Sequence, residues 1–186
     1  MFYVIFLLMF CARALAIEPL QEKYLVSYGD PQAPIKIVEY FSFQCPHCLA
    51  LYRKDFKRVA EAFVDTKKVH WTFHPIPTDL VTVQAMVCLS KLSLHHKKIF
   101  LETLLEEAEG PHLTVLIMSK VMELLHHPIL DLSDEEFLQN SDAFADAFAF
   151  LNQAEKISAV PTIRVNAKLY PDELPDFELI QRVVER

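Results

Sequence analysis

Hydrophobic positions change rhythm several times along the chain. Ile35 to Phe41 is an almost continuous β-branched and aromatic run, broken by Lys36 and Glu39, and predicts a strand. It ends at Ser42-Phe43-Gln44-Cys45-Pro46-His47-Cys48, after which a helix-compatible pattern runs to about Phe63. Val69 to His74 alternates and stops at Pro75-Ile76-Pro77, the pattern of a second strand. From Asp79 to Lys156 the spacing is helical, with no convincing strand. Within it, Gly110-Pro111 is read as the end of one helix and Ser133-Asp134-Glu135-Glu136 as a capping-box start of another. Strand character returns at Ala159 to Asn166, and Asp176 to Arg186 closes the chain as a helix. Ahead of all this, Ile17 to Asp30 reads as an extended lead-in, and Tyr28 to Pro34 is dense in turn residues.

Composition bounds the architecture. The 186 residues, 52% hydrophobic and 23% charged, suit one globular domain with an insertion. A net charge of −7 leaves no basic footprint for nucleic acid. Met1 to Phe10 is wholly apolar and Ala14-Leu15-Ala16 fits a small-x-small cleavage site, so residues 1–16 read as a secretory signal. The apolar run is short for a transmembrane span. No Lys or Arg precedes it and Arg13 lies beside the cleavage site, which leaves an uncleaved anchor as the alternative. Cys11 follows the bulky Phe10, unlike a lipidation site, and is read as part of the discarded segment. Cleavage leaves Cys45, Cys48 and Cys88, too few for a disulfide-stapled scaffold.

The candidate chemistry sits where the first strand gives way to helix. With Pro46 as the first helical residue, Cys45 is the N-cap and its sulfur faces the free N–H groups of His47 and Cys48. Cys48, three residues on, returns to the same helix face, about 5–6 Å away between Cβ atoms. A disulfide needs about 3.5–4.5 Å, which a modest adjustment supplies. A helix dipole contributes at most about 2 kcal/mol, and one pKa unit is about 1.4 kcal/mol. The dipole alone therefore lowers a thiol by roughly one unit. Further depression needs hydrogen bonds and the imidazole of His47. Stabilising the reduced thiolate makes the disulfide a stronger oxidant. Half a zinc site is the competing reading of Cys-x-x-Cys, but no second pair or well-spaced His pair completes one, so no metal is expected.

The run Val38-Glu39-Tyr40-Phe41-Ser42-Phe43-Gln44-Cys45-Pro46-His47-Cys48 resembles the active-site segment of DsbA-like thiol:disulfide oxidoreductases. Val160-Pro161-Thr162 resembles the cis-proline element of the thioredoxin superfamily. The likeness extends from about Tyr24 onward. It implies an α/β, thioredoxin-like fold with an inserted all-helical domain. The first half would span residues 17–78 with Cys45-Pro46-His47-Cys48, the helical insertion 79–156, and the second half 157–186. DsbA itself is known for a low-pKa cysteine and an oxidising couple. By resemblance, Cys45 is the exposed exchanging sulfur and Cys48 resolves, with Pro46 and His47 tuning the pair. Glu39 lies buried beneath them and exchanges protons with Cys48. Val160 and a cis Pro161 contact an extended substrate.

The implied activity is disulfide donation to reduced exported proteins in a bacterial periplasm, by a monomer. A membrane DsbB-like partner reoxidises it, and the Cys45–Cys48 disulfide is the sole redox group, without a cofactor. Two alternatives stand: a reductase or isomerase using the same pair, or a non-enzymatic chaperone or binding protein with the cysteines as a staple. For Glu39 the alternative is an edge-strand carboxylate pointing to water.

Other features have plainer expectations. His70 and His74 share a strand face and are read as partly exposed. Met86, Leu89 and Leu92, and later Phe144, Phe148 and Leu151, form helical stripes expected in the core or in a hydrophobic substrate groove. Cys88 is expected to be buried and inert. His95-His96 and His126-His127 are placed late in helices. Asn166-Ala167-Lys168 occupies a hairpin turn where Ala tolerates positive φ poorly, which puts the last strand in question.

Overall fold

The computed structural model describes residues 21–127, 139, 141–153, 157–171 and 173–186. The signal read at residues 1–16 and the capping box at Ser133 to Glu136 lie outside them.

The elements are β1 (Val26–Tyr28), β2 (Ile35–Phe41), a helix α1 (46–64), β3 (Val69–Pro75), α2 (Leu80–Lys91), α3 (Leu94–Glu107), α4 (Gly110–Leu124), α5 (Asp142–Gln153), β4 (Thr162–Val165), β5 (Lys168–Tyr170) and α6 (Phe177–Val184). The strands form one sheet in the order β1-β3-β2-β4-β5. β2 and β3 are parallel, with Glu39 opposite Phe73, and α1 makes the crossover that parallel pairing requires. β4 runs antiparallel to β2, with Ile163 opposite Glu39, and β5 completes a hairpin with β4. β2 is thus the central strand, hydrogen-bonded on both edges, which rules out the edge position for Glu39. The four described helices between β3 and β4 are α2 to α5.

Local chemistry explains most boundaries. β2 spans the expected Ile35 to Phe41. Asp79 caps α2 by accepting the Thr82 N–H, Ser93 caps α3 through the His96 N–H, and Asp176 caps α6 through the Leu179 N–H. Four expectations about element boundaries and turns need correction. The lead-in contains β1, paired antiparallel with β3; three residues are too short for an alternation to be read. Gly110-Pro111 starts α4 instead of ending α3, with Gly110 at φ +73° and Pro111 in the first turn, where its missing N–H costs nothing. His95 and His96 lie in the first turn of α3, whereas His126 and His127 do follow the end of α4. The β4–β5 hairpin forms because Asn166, not Ala167, takes the positive φ, at 50°.

The sheet and α1 enclose an aromatic core. Phe56 and Phe73 lie 4.9 Å apart edge to face, with Tyr28, Tyr52 and Trp71 around them. Phe63 of α1 stacks on Phe177 of α6 at 5.8 Å. In the helical block Met86, Leu89 and Leu92 are buried, but on α5 Phe148 is 63% exposed and Phe144 and Leu151 are also exposed. His74 is buried rather than partly exposed, packed between the Tyr40 and Phe150 rings, while His70 is half-buried. No described helix is long and apolar enough to cross a membrane.

Candidate active site

The end of β2 and the start of α1 form a tight, hydrogen-bonded corner. The Cys45 N–H donates to the Ser42 carbonyl at 3.2 Å, and the Gln44 N–H donates to Ser42 Oγ at 3.0 Å. Ser42 Oγ in turn donates to Asp79 Oδ2 at 2.9 Å, the carboxylate that caps α2. Gln44 Nε2 reaches Thr114 Oγ1 of α4 at 3.3 Å. The corner is therefore anchored to two helices of the helical block.

Pro46 occupies the first turn, Cys45 is the N-cap, and Cys45 Sγ accepts the Cys48 N–H at 3.3 Å. Cys45 is half-buried, Pro46 and His47 are exposed, and Cys48 is buried at 1% exposure; both thiols are free. One sulfur is accessible to another molecule and the other is not.

The electrostatics follow from this arrangement. The Cys45 thiol is pulled down to about 6, first by the Cys48 side-chain hydrogen bond, which outweighs burial; the Cys48 and His47 N–H groups and the His47 charge add to it. Cys48 moves the other way, well above an ordinary thiol. The causes are the hydrogen bond with Cys45, then burial, then the repulsion of the Cys45 and Glu39 charges. The pair therefore carries a single negative charge at neutral pH, centred on Cys45.

Glu39, inside β2, is 4% exposed. Burial pushes its carboxyl up to about 8, with Trp71 opposing and the Cys45 charge adding to the rise. It can hold a proton at neutral pH beneath a cysteine that needs one on leaving as a thiolate. The peptide bond between Val160 and Pro161 is cis, and the Cys45 thiol lies 3.5 Å from the Val160 carbonyl oxygen. Both residues are half-buried beside the accessible sulfur, leaving that backbone edge within reach of a bound chain.

Cys88 is a buried thiol in α2, raised to about 12 by desolvation, and plays no part in this site. Among the described residues no group of three or more His, Cys, Asp or Glu side chains is placed to hold a metal ion.

One residue of the neighbourhood was not foreseen: Asp55. It occupies the inward position of α1 between Leu51 and Val59 and is 5% exposed. The signal was present, since Cys48, Leu51, Asp55 and Val59 follow one another at helical spacing with one carboxylate among apolar residues.

Among solved structures, the fold is similar to oxidised BdbD from Bacillus subtilis, with a TM-score of 0.68 and 19% identity over 90% of this chain and 94% of that one. It is also similar to DsbA from Chlamydia trachomatis, with a TM-score of 0.64 and 20% identity over 89% and 92%. For alpha-DsbA1 from Wolbachia pipientis the TM-score is 0.63 and the identity 19%, over 87% and 89%. The thioredoxin-like fold implied by the active-site motif is thus the fold observed. No curated protein matches the chain in sequence. The family model described as Thioredoxin matches residues 21–186, nearly the whole chain, and the protein belongs to that family.

Proposed function

We propose that this protein is a thiol:disulfide oxidoreductase that donates the Cys45–Cys48 disulfide to reduced exported proteins. The observation that carries the reading is the division of labour within the pair: an accessible Cys45 whose thiolate is favoured, against a buried Cys48 whose thiolate is not. A substrate thiolate attacks Cys45 Sγ of the oxidised pair. The Cys45–Cys48 bond breaks, a mixed disulfide forms, and Cys48 leaves and takes a proton from Glu39. A second substrate thiolate then attacks the substrate's own sulfur of the mixed disulfide and releases Cys45 as the thiolate. The substrate loses two electrons and the pair gains them. Pro46 and His47 shape the helix start that holds the Cys45 charge, and the Val160 carbonyl beside cis Pro161 pairs with an extended substrate segment.

The disulfide is the only redox group the reaction needs. Export to the periplasm, a monomeric state and reoxidation by a membrane DsbB-like partner complete the proposal, resting on the apolar N-terminus and the DsbA-like motif. With the chain at a net charge of −7, nucleic acid is not among the partners proposed.

The reduction potential of the pair tests the direction. Thioredoxin, a reductant, has about −270 mV and DsbA about −120 mV. A value on the DsbA side, with oxidation of a reduced peptide lost in Cys45→Ser, is the expected result. A potential near thioredoxin's assigns the same residues to reduction. Full activity in Cys45→Ser removes the enzyme reading in favour of a binding protein.

A further inference from the structure

A cavity of about 10 Å³ is lined by Glu39, Tyr52, Asp55 and Trp71 together with apolar neighbours and the buried Pro175; neither cysteine borders it. That volume is about one water molecule's worth of space. Two polar atoms in its wall have no hydrogen-bond partner: Asp55 Oδ2 and Trp71 Nε1. Trp71 Nε1 is near enough to Glu39 to favour its charged form, yet reaches no acceptor at hydrogen-bond distance. Buried donors and acceptors are normally satisfied, and a buried carboxylate oxygen without a hydrogen bond is costly. A leucine at position 55 would instead complete the stripe between Leu51 and Val59.

The backbone has also been shaped here. Asp55 lies in a five-residue π-helical stretch, Tyr52–Phe56, of α1, a widened turn of the kind found at functional sites. Its Oδ2 is itself buried but lies 3.7 Å from Nζ of Lys54, whose side chain is 76% exposed, so only that ammonium separates the carboxylate from solvent.

We propose that a water held by Glu39, Asp55 and Trp71 in this cavity passes protons between Glu39 and Asp55, and that Asp55 is the residue through which Glu39 exchanges protons with solvent. Resting on the oxidoreductase reading above, the cycle balances as follows. When Cys48 leaves as a thiolate, the Glu39 carboxylic acid gives it a proton and becomes a carboxylate. Asp55 takes a proton from bulk water and passes it through the cavity water, which accepts one proton as it gives one up, to Glu39. Reoxidation of the pair runs the same transfers backwards: Cys48 gives its proton to Glu39 as it becomes the attacking sulfur, and the proton leaves by way of Asp55. Asp55 acts through Glu39 and is a positioning residue, not a group that touches the reacting sulfurs.

The groups that titrate or carry charge around this path are few. Glu39 and Tyr52 share the cavity wall with Asp55, Cys45 and Cys48 are within electrostatic reach of Glu39, and Lys54 pairs with Asp55 from the exposed side. Behind Tyr52 are Glu102 and Glu106 of α3, the first held by the Tyr28 hydroxyl at 2.9 Å. Arg53 is turned away and donates to the Leu105 and Ala108 carbonyls.

The protein's one tryptophan, Trp71, sits in the cavity wall and reports on it directly. Two substitutions separate charge from shape. Asp55→Asn keeps size and hydrogen bonding but cannot carry the proton, and Asp55→Leu removes polarity and restores the apolar stripe. Two readouts apply to the full chain: the pH titration of Trp71 fluorescence in the reduced protein, and the pH profile of single-turnover oxidation of a reduced model peptide. Both variants are expected to shift the midpoint of the fluorescence transition, because Glu39 loses the group with which it shares a proton. Both are expected to slow the turnover about tenfold near neutrality, less than loss of a direct acid–base group, and both to unfold at a denaturant concentration no lower than wild type. Titration curves and rates that superimpose on wild type in both variants overturn the proposal. So does a shift in Asp55→Leu alone, which would give position 55 a merely polar, water-holding role. If the wild type exchanges no disulfides, the function above fails while the fluorescence titration still decides whether Asp55 and Glu39 share a proton.

Discussion

Cys45 owes its acidity to its partner more than to the histidine between them. The leading influence is the hydrogen bond with the Cys48 side chain, and the His47 charge is the last of those acting on it. Titration of the thiolate by its ultraviolet absorbance should give a midpoint near 6 in the wild type. Cys48→Ala should raise that midpoint further than His47→Ala does, and equal shifts would mean that the imidazole carries the effect. At this scale the sequence was informative where a side chain's role follows from its neighbours along the chain. The N-cap geometry of Cys45, the first-turn proline and the inert Cys88 can all be read from adjacent residues. Glu39 was harder, because burial depends on which strands flank β2, and only the order β1-β3-β2-β4-β5 removes the solvent-facing alternative. His74 was misread for the same reason, since it is packed between Tyr40 of the neighbouring strand and Phe150, far along the chain on α5.

Between elements, the decisive joint is Asp79. One carboxylate caps α2 through the Thr82 N–H at 2.8 Å, accepts the Thr82 hydroxyl, and accepts Ser42 Oγ from the corner that carries the cysteines. Loss of an N-cap costs about 0.5–2 kcal/mol. Asp79→Ala also leaves buried Ser42 without this acceptor, which places the expected cost towards the upper end, about 2 kcal/mol, in urea unfolding. Asp79→Asn, still able to cap, should lose less; equal losses would show that the charge and not the cap matters. Periodicity found β2, α1, β3 and the helical block because each is long enough to show its repeat. It missed β1, whose three residues are held by pairing with β3, and it misassigned Gly110-Pro111, a pair that can close one helix or open the next. The hairpin in question was rescued by a residue one position earlier, Asn166, whose side chain also accepts the Lys36 N–H at 2.9 Å. Asp55 was visible as a polar break in an apolar stripe, but the cavity that gives it meaning needs β2, β3 and the segment before α6 in place together.

For the molecule as a whole, Cys45 and Glu39 impose opposite pH dependences on stability, and the redox state selects which of them act. Glu39 has its folded pKa raised from 4.5 to about 8, chiefly by burial. Its favourable share is therefore complete below pH 4.5 and lost as pH rises through 8, a penalty on the order of 3 kcal/mol at pH 7. Cys45, in the reduced protein, has its folded pKa lowered from 9.0 to about 6. Its contribution is complete above pH 9 and lost as pH falls through 6. In the oxidised protein Cys45 has no proton to exchange, so of these two opposed dependences only that of Glu39 remains; buried His74, lowered from 6.5 to about 4 by desolvation, offsets it below pH 6.5 in both forms. Urea unfolding of both forms should show the oxidised protein losing stability as pH rises from 6.5 to 8 and the reduced protein gaining on it as pH rises from 6 to 9. Glu39→Gln should flatten the first trend and leave the widening gap between the two forms. That gap is the same free energy that makes the disulfide an oxidant, because a reduced form favoured by folding is a disulfide favoured to leave. A gap that stays constant from pH 6 to 9 would mean that the Cys45 thiolate is not stabilised by the fold, and the direction of electron flow proposed here would lose its physical basis.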